Sequence, residues 1–85
     1  MIYLDNGTLM RTLAANSQVW SLAVLPNGHL SSGHDNVDIK IWDTDDSTSN
    51  DPIKTINAHN ASVNALAVLQ NGYLASGSDD KTIKI

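Results

Sequence analysis

The strongest constraint on the fold is an internal repeat. Residues 19–41 align without a gap with residues 63–85, at an offset of 44 residues, and 14 of the 23 aligned positions are identical. Upstream, Arg11-Thr12-Leu13 resembles Lys54-Thr55-Ile56, with a difference of one residue in the spacing to the main repeat. Repetition at this period indicates two copies of one supersecondary unit, which buries its apolar face by stacking against a neighbouring copy.

The sequence of each repeat has the pattern of short strands and shows no helical pattern. Val19–Leu25 is apolar on both alternating faces, which predicts a strand buried on both sides. Asn27-Gly28 and Asn71-Gly72 predict two-residue hairpins of type I′, in which both residues have positive φ. The other predicted strands are Leu30–Gly33, Val37–Trp42, Ile53–Ile56, Leu74–Gly77 and Thr82–Ile85, with an outer strand at Leu9–Leu13. Four strands in about 40–45 residues are typical of one blade of a β-propeller.

The predicted fold is therefore all-β, with two four-stranded antiparallel blades, one complete and one split between the termini. Residues 1–41 form the first predicted repeat and residues 42–85 the second. Propellers typically have four to eight blades, so two cannot close a ring. We expect other copies of the chain to complete it, and four copies are favoured over three. In such a ring, the N-terminal strand of another copy would complete the split blade, and Ile2-Tyr3 of that copy would follow on in space from Ile85.

Composition narrows the classes of partner and site. The 85 residues include no cysteine and carry a net charge of −4, with Asp as the acidic residue throughout. Disulfides and thiolate-bound zinc are excluded, and no cofactor is expected. The few basic residues are scattered, which argues against nucleic acid as a partner. No signal peptide or long apolar segment is evident, so we expect no membrane association and a cytoplasmic or otherwise intracellular location.

Two segments carry a resemblance to a known family. Ser76–Ile85 and Ile39–Asp43 closely resemble the WD-repeat signature, and Ala58-His59 resembles its Gly-His pair. The resemblance extends over almost the whole chain and implies a radial array of blades around a central channel. It also implies a hydrogen-bonded tetrad of His, Ser or Thr, Asp and Trp inside each blade.

The tetrad is incomplete in both repeats. In the second repeat His59, Ser76 and Asp80 match the pattern, and the Trp position lies beyond Ile85. In the first repeat Ser32 and Trp42 match, whereas the His position falls near Ala15 and the Asp position holds Asn36. The resemblance therefore implies that five residues form structural tetrads: His59, Ser76, Asp80, Ser32 and Trp42.

Several motifs have both a functional and a structural interpretation. His59, Ser76 and Asp80 are the residue types of a hydrolytic triad, but we favour a buried structural network and predict no catalytic residues and no enzyme activity. His29 and His34 lie in or beside turns without the spacing of zinc ligands, so we expect exposed histidines and no metal site. The acidic loop after Trp42 lacks the Gly and Glu of a calcium-binding loop.

Trp20 is the most promising functional residue, because Trp is enriched in binding hot spots. In WD-repeat proteins, residues at the start of an inner strand lie near the channel on the top face. The resemblance thus implies a partner-binding rim of Trp20, Asn64, Asn16, Gln18, His34, Ser62 and Ser78. For Trp20 alone, packing between blades is an equal alternative.

The predicted function is a non-catalytic scaffold for an unidentified protein or peptide partner. Two alternatives remain open. The chain could be an excised or designed propeller fragment without independent function, or the assembled channel could hold a small-ligand or enzyme site.

Overall fold

The computed structural model describes residues 12–46 and 48–85. These residues form the strands β1 (Val19–Val24), β2 (Leu30–His34), β3 (Asp38–Trp42), β4 (Lys54–Asn57), β5 (Val63–Val68), β6 (Leu74–Ser78) and β7 (Ile83–Lys84). They contain no helix, and hence none able to cross a membrane. The predicted all-β class is confirmed.

The strands form two antiparallel sheets in sequence order. β1 to β4 make a four-stranded sheet, here called the first blade, and β5 to β7 make a three-stranded sheet, the second blade. The predicted strand at Leu9–Leu13 lies mostly outside the described residues, and Thr12 and Leu13 are not part of a strand.

The two long hairpins differ from the predicted type I′ turns. Gly28 and Gly72 have φ of +89°, but Asn27 and Asn71 do not have positive φ. In the first hairpin the amide of Gly28 donates to the carbonyl of Leu25 at 2.9 Å, and Leu25 donates to the carbonyl of His29 at 2.8 Å. This is the pattern of a three-residue loop, in which a type I turn is followed by a left-handed glycine. The prediction of positive φ at both positions was therefore wrong.

Both inner strands contain a bulge at the same place. The pairing register shifts between Val19 and Ser21 in β1 and between Val63 and Ala65 in β5. Trp20 and Asn64 are consequently the extra residues of their strands. Bulges interrupt the alternation of side chains and re-aim the residue that they contain.

The second blade packs against one face of the first. Ile39 and Ile41 from β3 form a buried cluster with Val63 from β5, and Leu25, Ala58, Leu66 and Leu74 pack against this cluster. The two blades approach closely at Gly33, where an added Cβ would lie 2.8 Å from Val63 Cγ1 and 3.0 Å from its carbonyl oxygen, and 2.6 Å from Ser21 Oγ of the first blade. Only glycine fits at this position.

The opposite face of the first blade is only partly exposed to solvent, since Ser32, His34 and Trp42 on this face are buried. Val19, Leu22 and Val24 are about half exposed, although the sequence pattern of β1 predicts burial on both faces. That prediction is wrong for the single chain, because the second blade covers only one side of the first.

Candidate functional site

The second blade contains a histidine-centred network. His59 precedes β5 and is buried, with Nδ1 2.9 Å from Asp80 Oδ2 and Nε2 2.7 Å from Ser76 Oγ. The carboxylate also accepts hydrogen bonds from the hydroxyl and amide of Thr82 and from the amide of Asn60. These bonds, above all the one from the Thr82 hydroxyl, hold the pKa of Asp80 well below its usual range.

The donors in this network follow from the chemistry of its ends. An ionised carboxylate can only accept, so His59 Nδ1 donates to Asp80. In a neutral imidazole with this tautomer, Nε2 accepts from the Ser76 hydroxyl. The order Ser–His–Asp is also that of a hydrolytic triad. The structure thus brings together the three residues that the sequence singles out in this repeat.

The first blade builds a related network from different positions. Trp42 is buried, and its indole Nε1 donates to Ser32 Oγ at 2.8 Å. The same hydroxyl lies 2.7 Å from His34 Nε2, and His34 Nδ1 lies 3.0 Å from Ser17 Oγ. Each blade therefore places an imidazole Nε2 at 2.7 Å from the corresponding serine, although the two histidines are not at equivalent positions in the repeat.

The prediction that His34 is an exposed histidine on the partner-binding rim was wrong. His34 is the last residue of β2 and is 0% exposed. Alternate residues of a strand share a face, so His34 lies on the same face as Ser32 and reaches its hydroxyl. Burial, together with the nearby Lys40 ammonium, lowers the pKa of His34.

The sequence contains a signal that His34 belongs to the network of the first blade. The first repeat lacks a histidine near Ala15, and it has His34 where the second repeat has Ser78. The first repeat thus lacks the histidine of the family pattern and has one two residues after Ser32 instead. This indicates that His34 takes the place of the missing imidazole. Asn36, at the Asp position, instead accepts a hydrogen bond from the amide of Asp38 at 3.1 Å.

The remaining rim residues lie where the inner strands begin and the neighbouring turns end. Trp20 is 56% exposed, and Asn16, Gln18 and Asn64 are exposed as well. The Asn64 side chain donates to Asp79 Oδ1. Asn16 has a φ of +64°, a left-handed conformation that asparagine tolerates better than most residues.

Serine hydroxyls tie the loops of this edge together. Ser62 Oγ donates to the carbonyl of Asp35 at 2.8 Å, which links the second blade to the β2–β3 turn of the first. Ser78 Oγ donates to the carbonyl of Ala61 at 3.2 Å. The amides of Asp35 and Asp79 donate to the carbonyls of Gln18 and Ser62, both at 3.1 Å. The edge is therefore a hydrogen-bonded platform, with Trp20 projecting from the bulge of β1.

A groove of about 550 Å³ lies between the outer parts of the two blades. Ile39 and Ile56 line it from the first blade, and Leu74, Ser76 and Ile85 line it from the second. In the first blade the equivalent serine, Ser32, accepts the Trp42 indole N–H. Among residues 12–46 and 48–85, no group of three His, Asp or Glu side chains is placed to hold a metal ion.

Comparison with known proteins agrees with the geometry. The sequence matches the family described as WD domain, G-beta repeat, over residues 7–43 and 50–85, which together make up most of the chain. The comparison with curated proteins finds no match. The two matched ranges contain the two serine–histidine networks and the four-stranded first blade, and the resemblance seen in the sequence is confirmed. The chain belongs to the WD40 repeat family.

Proposed function

We propose that this chain is a non-catalytic scaffold for protein–protein interaction, a two-blade unit that joins other copies of itself to form a closed β-propeller. Proteins with WD40 repeats generally bind other proteins as propeller scaffolds. The observation that carries the proposal is the rim, where an exposed tryptophan stands on an edge whose loops are held by hydrogen bonds.

The construction of the rim favours binding. Ordering a mobile loop on binding costs free energy, and this cost is smaller when the loop is already held in place. Here the β2–β3 turn is fixed at Asp35 by contacts with both Gln18 and Ser62, one from each blade. A partner thus meets a preformed surface.

The chemistry of the rim suggests the kind of partner. Trp20 offers a large apolar surface with an N–H donor, which is typical of a binding hot spot. Asp35 and Asp79 are exposed beside it, and the chain carries a net charge of −4. We expect a protein or peptide that presents an apolar side chain flanked by basic groups.

A structural role for the Ser–His pairs supports the non-catalytic part of the proposal. The first blade holds Ser32 and His34 at the same 2.7 Å separation without a carboxylate on the imidazole, and covers that serine with Trp42. A hydrolytic site would need the carboxylate to orient the histidine and an accessible hydroxyl. Ser32 is 2% exposed, and Ser76, although it lines the groove, is only 4% exposed and is hydrogen-bonded to His59, which fits structural networks instead.

Assembly into a ring supplies the blades that one chain lacks. Among the described strands, β7 pairs only with β6, and exposed backbone edges of this kind bind further strands. Apolar residues are also exposed on the outer faces of both blades. Three copies would give six blades and four would give eight, and we favour four.

The binding proposal is tested with the Trp20→Ala variant. Proteins retained by the wild type and lost by the variant are identified, and one is purified for titration. Loss of a central tryptophan costs about 2 kcal/mol, which lowers affinity about 30-fold. Gln70→Ala, at an exposed hairpin residue away from the rim, is the matched control and retains full affinity.

Tryptophan fluorescence reports the site of contact. The sequence has two tryptophans, and Trp42 is buried, so quenching by acrylamide reports mainly Trp20. A partner on the rim protects Trp20 from the quencher. Binding that leaves this quenching unchanged, or that is equally strong in the Trp20→Ala variant, contradicts the rim as the interaction site.

A further inference from the structure

The internal repeat allows the same position to be compared in two environments. Val63 of the second blade is 0% exposed, whereas its equivalent in the first blade, Val19, is 49% exposed. Ile39 of the first blade is 4% exposed, whereas its equivalent in the second, Ile83, is 78% exposed. The residues are identical in each pair, so the difference comes from the neighbour and not from the side chain.

These pairs define two faces of a blade. The front face carries a glycine and two isoleucines, which are Gly33, Ile39 and Ile41 in the first blade and Gly77, Ile83 and Ile85 in the second. The back face carries Val19, Leu22 and Val24 in the first blade and Val63, Leu66 and Val68 in the second. Inside the chain, the front face of the first blade packs against the back face of the second.

The two faces left exposed are equivalent in sequence to the two faces that pack together inside the chain. The second blade exposes its front face, with Ile83 and Ile85 both 78% exposed. The first blade exposes the part of its back face that β1 forms, with Leu22 55% and Val24 48% exposed. Each exposed side chain has an identical counterpart that is buried or half-buried between the blades.

The glycine of the front face shows how closely the two faces approach. Gly33 has no room for a Cβ, because Ser21 Oγ of its own blade would lie at 2.6 Å and Val63 Cγ1 from the back face of the second blade at 2.8 Å. At Gly77 an added Cβ would meet only Ala65 Cβ, at 4.0 Å, which is ordinary contact. The second blade thus has a recess equivalent to the one in which the first blade holds Val63, and none of residues 12–46 and 48–85 fills it.

We propose that copies of this chain join head to tail, with the front face of the second blade of one copy packed against the back face of the first blade of the next. Val19 of the next copy lies over Gly77, and Leu22 packs beside Ile83, as Val63 and Leu66 do within the chain. The inference rests on the self-assembly proposed above, to which it adds the surfaces and their polarity. Because the two surfaces differ, the contact is heterologous and repeats around a ring.

The test uses two variants, each of which blocks one face. Gly77→Val fills the front recess, and it fits the single chain because the space is open and valine favours strands. Leu22→Asp places a charge on the back face at an exposed position. Ile83→Asp and Val24→Asp are second variants of the same two faces. The control is Asp51→Lys, a change of charge at an exposed residue of the loop between β3 and β4, outside both faces. Circular dichroism and Trp42 fluorescence establish that each variant is folded.

Masses are measured by light scattering, alone and in mixtures. Gly77→Val and Leu22→Asp each fall to a single chain of 9.1 kDa, while Asp51→Lys assembles like the wild type. Mixed in equal amounts, the two variants form a 1:1 dimer, because the intact front face of one meets the intact back face of the other and both remaining faces are blocked.

Other patterns overturn the inference. If either variant assembles like the wild type, its face is not the interface. If both are monomeric but the mixture gives no dimer, the contact is not head to tail. A monomeric wild type contradicts the self-assembly itself, whereas an assembled wild type with unaffected variants contradicts only these surfaces.

Discussion

His34 provides the sharpest test of how the first blade is stabilised. The proposed change is His34→Ser, because serine is the residue that the second blade has at the equivalent position, Ser78. The imidazole is fully buried and contacts Ser32 Oγ at 2.7 Å and Ser17 Oγ at 3.0 Å. Its removal therefore breaks both hydrogen bonds and leaves a space where the ring was, although Ser32 Oγ still accepts from the Trp42 indole.

The expected cost follows from these losses. A hydrogen bond contributes about 1 kcal/mol, and there are two. A cavity on the order of 60 Å³ costs about 1.5 kcal/mol at about 24 cal/mol per Å³. We expect His34→Ser to lower the free energy of unfolding by about 3 kcal/mol. Urea unfolding followed by tryptophan fluorescence measures it, at one protein concentration, because assembly adds to the apparent stability.

A transplant of the second network provides the matched rescue. The triple variant Ala15→His, His34→Ser and Asn36→Asp gives the first blade the histidine and carboxylate arrangement that His59 and Asp80 have in the second. We expect it to recover at least about half of the lost free energy. A cost below about 0.5 kcal/mol for His34→Ser, which is the usual effect of a neutral surface change, would refute a stabilising role for this imidazole.

The same residue predicts a pH dependence. The pKa of His34 is lowered in the folded chain, so on acidification the unfolded chain binds the proton first, near the ordinary value of 6.5. Wild-type stability thus falls as the pH is lowered from about 7 toward 5. The difference in stability between wild type and His34→Ser shrinks over this range, whereas a constant difference contradicts a neutral buried imidazole.

Three further predictions concern single contacts, each measured as a change in the urea midpoint. Ser21→Ala raises the free energy of unfolding by about 1 kcal/mol, because Ser21 Oγ is buried without a hydrogen-bond partner and the second blade has Ala65 there. Gly33→Val lowers it by about 3 kcal/mol through collision with Val63, in contrast to Gly77→Val. The pKa of Asp80 is lowered on folding, so its carboxylate stabilises the fold above the ordinary pKa of about 3.9 and this is lost below it. The stability advantage of wild type over Asp80→Asn is therefore present at pH 5 and declines toward pH 2.

Hydrophobic periodicity and turn residues predicted the strands well, because strands and turns depend on local sequence. The chain contains the same local pattern in both repeats. The conformation of Asn27 was mispredicted, because Asn-Gly also suits the end of a type I turn. The second hairpin has the same form with Gln70 in place of Pro26, so the proline is not what selects it. Burial of β1 was mispredicted, because an apolar strand does not reveal whether its second partner lies in the same chain. The burial of β1 therefore depends on what packs against the first blade, which the sequence of the strand does not state.

The residue types that form the networks were predicted more successfully than their positions in the sequence. His59, Ser76 and Asp80 are hydrogen-bonded together as the resemblance to the family implies, since their spacing follows the family pattern. His34 was misplaced, because its role depends on which side chain shares a face with Ser32 rather than on a motif. Trp20 lies at the bulge in β1, which a pattern of apolar residues does not show.

The mass of the wild-type chain in solution tests the central claim most directly. Size exclusion with light scattering, over a hundredfold range of concentration, gives the number of 9.1 kDa chains in each particle. Self-assembly into a closed propeller predicts one species of three or four chains, with four favoured, whose mass does not rise with concentration. A monomer, a dimer, or a mass that grows continuously with concentration would contradict a closed ring built from this chain.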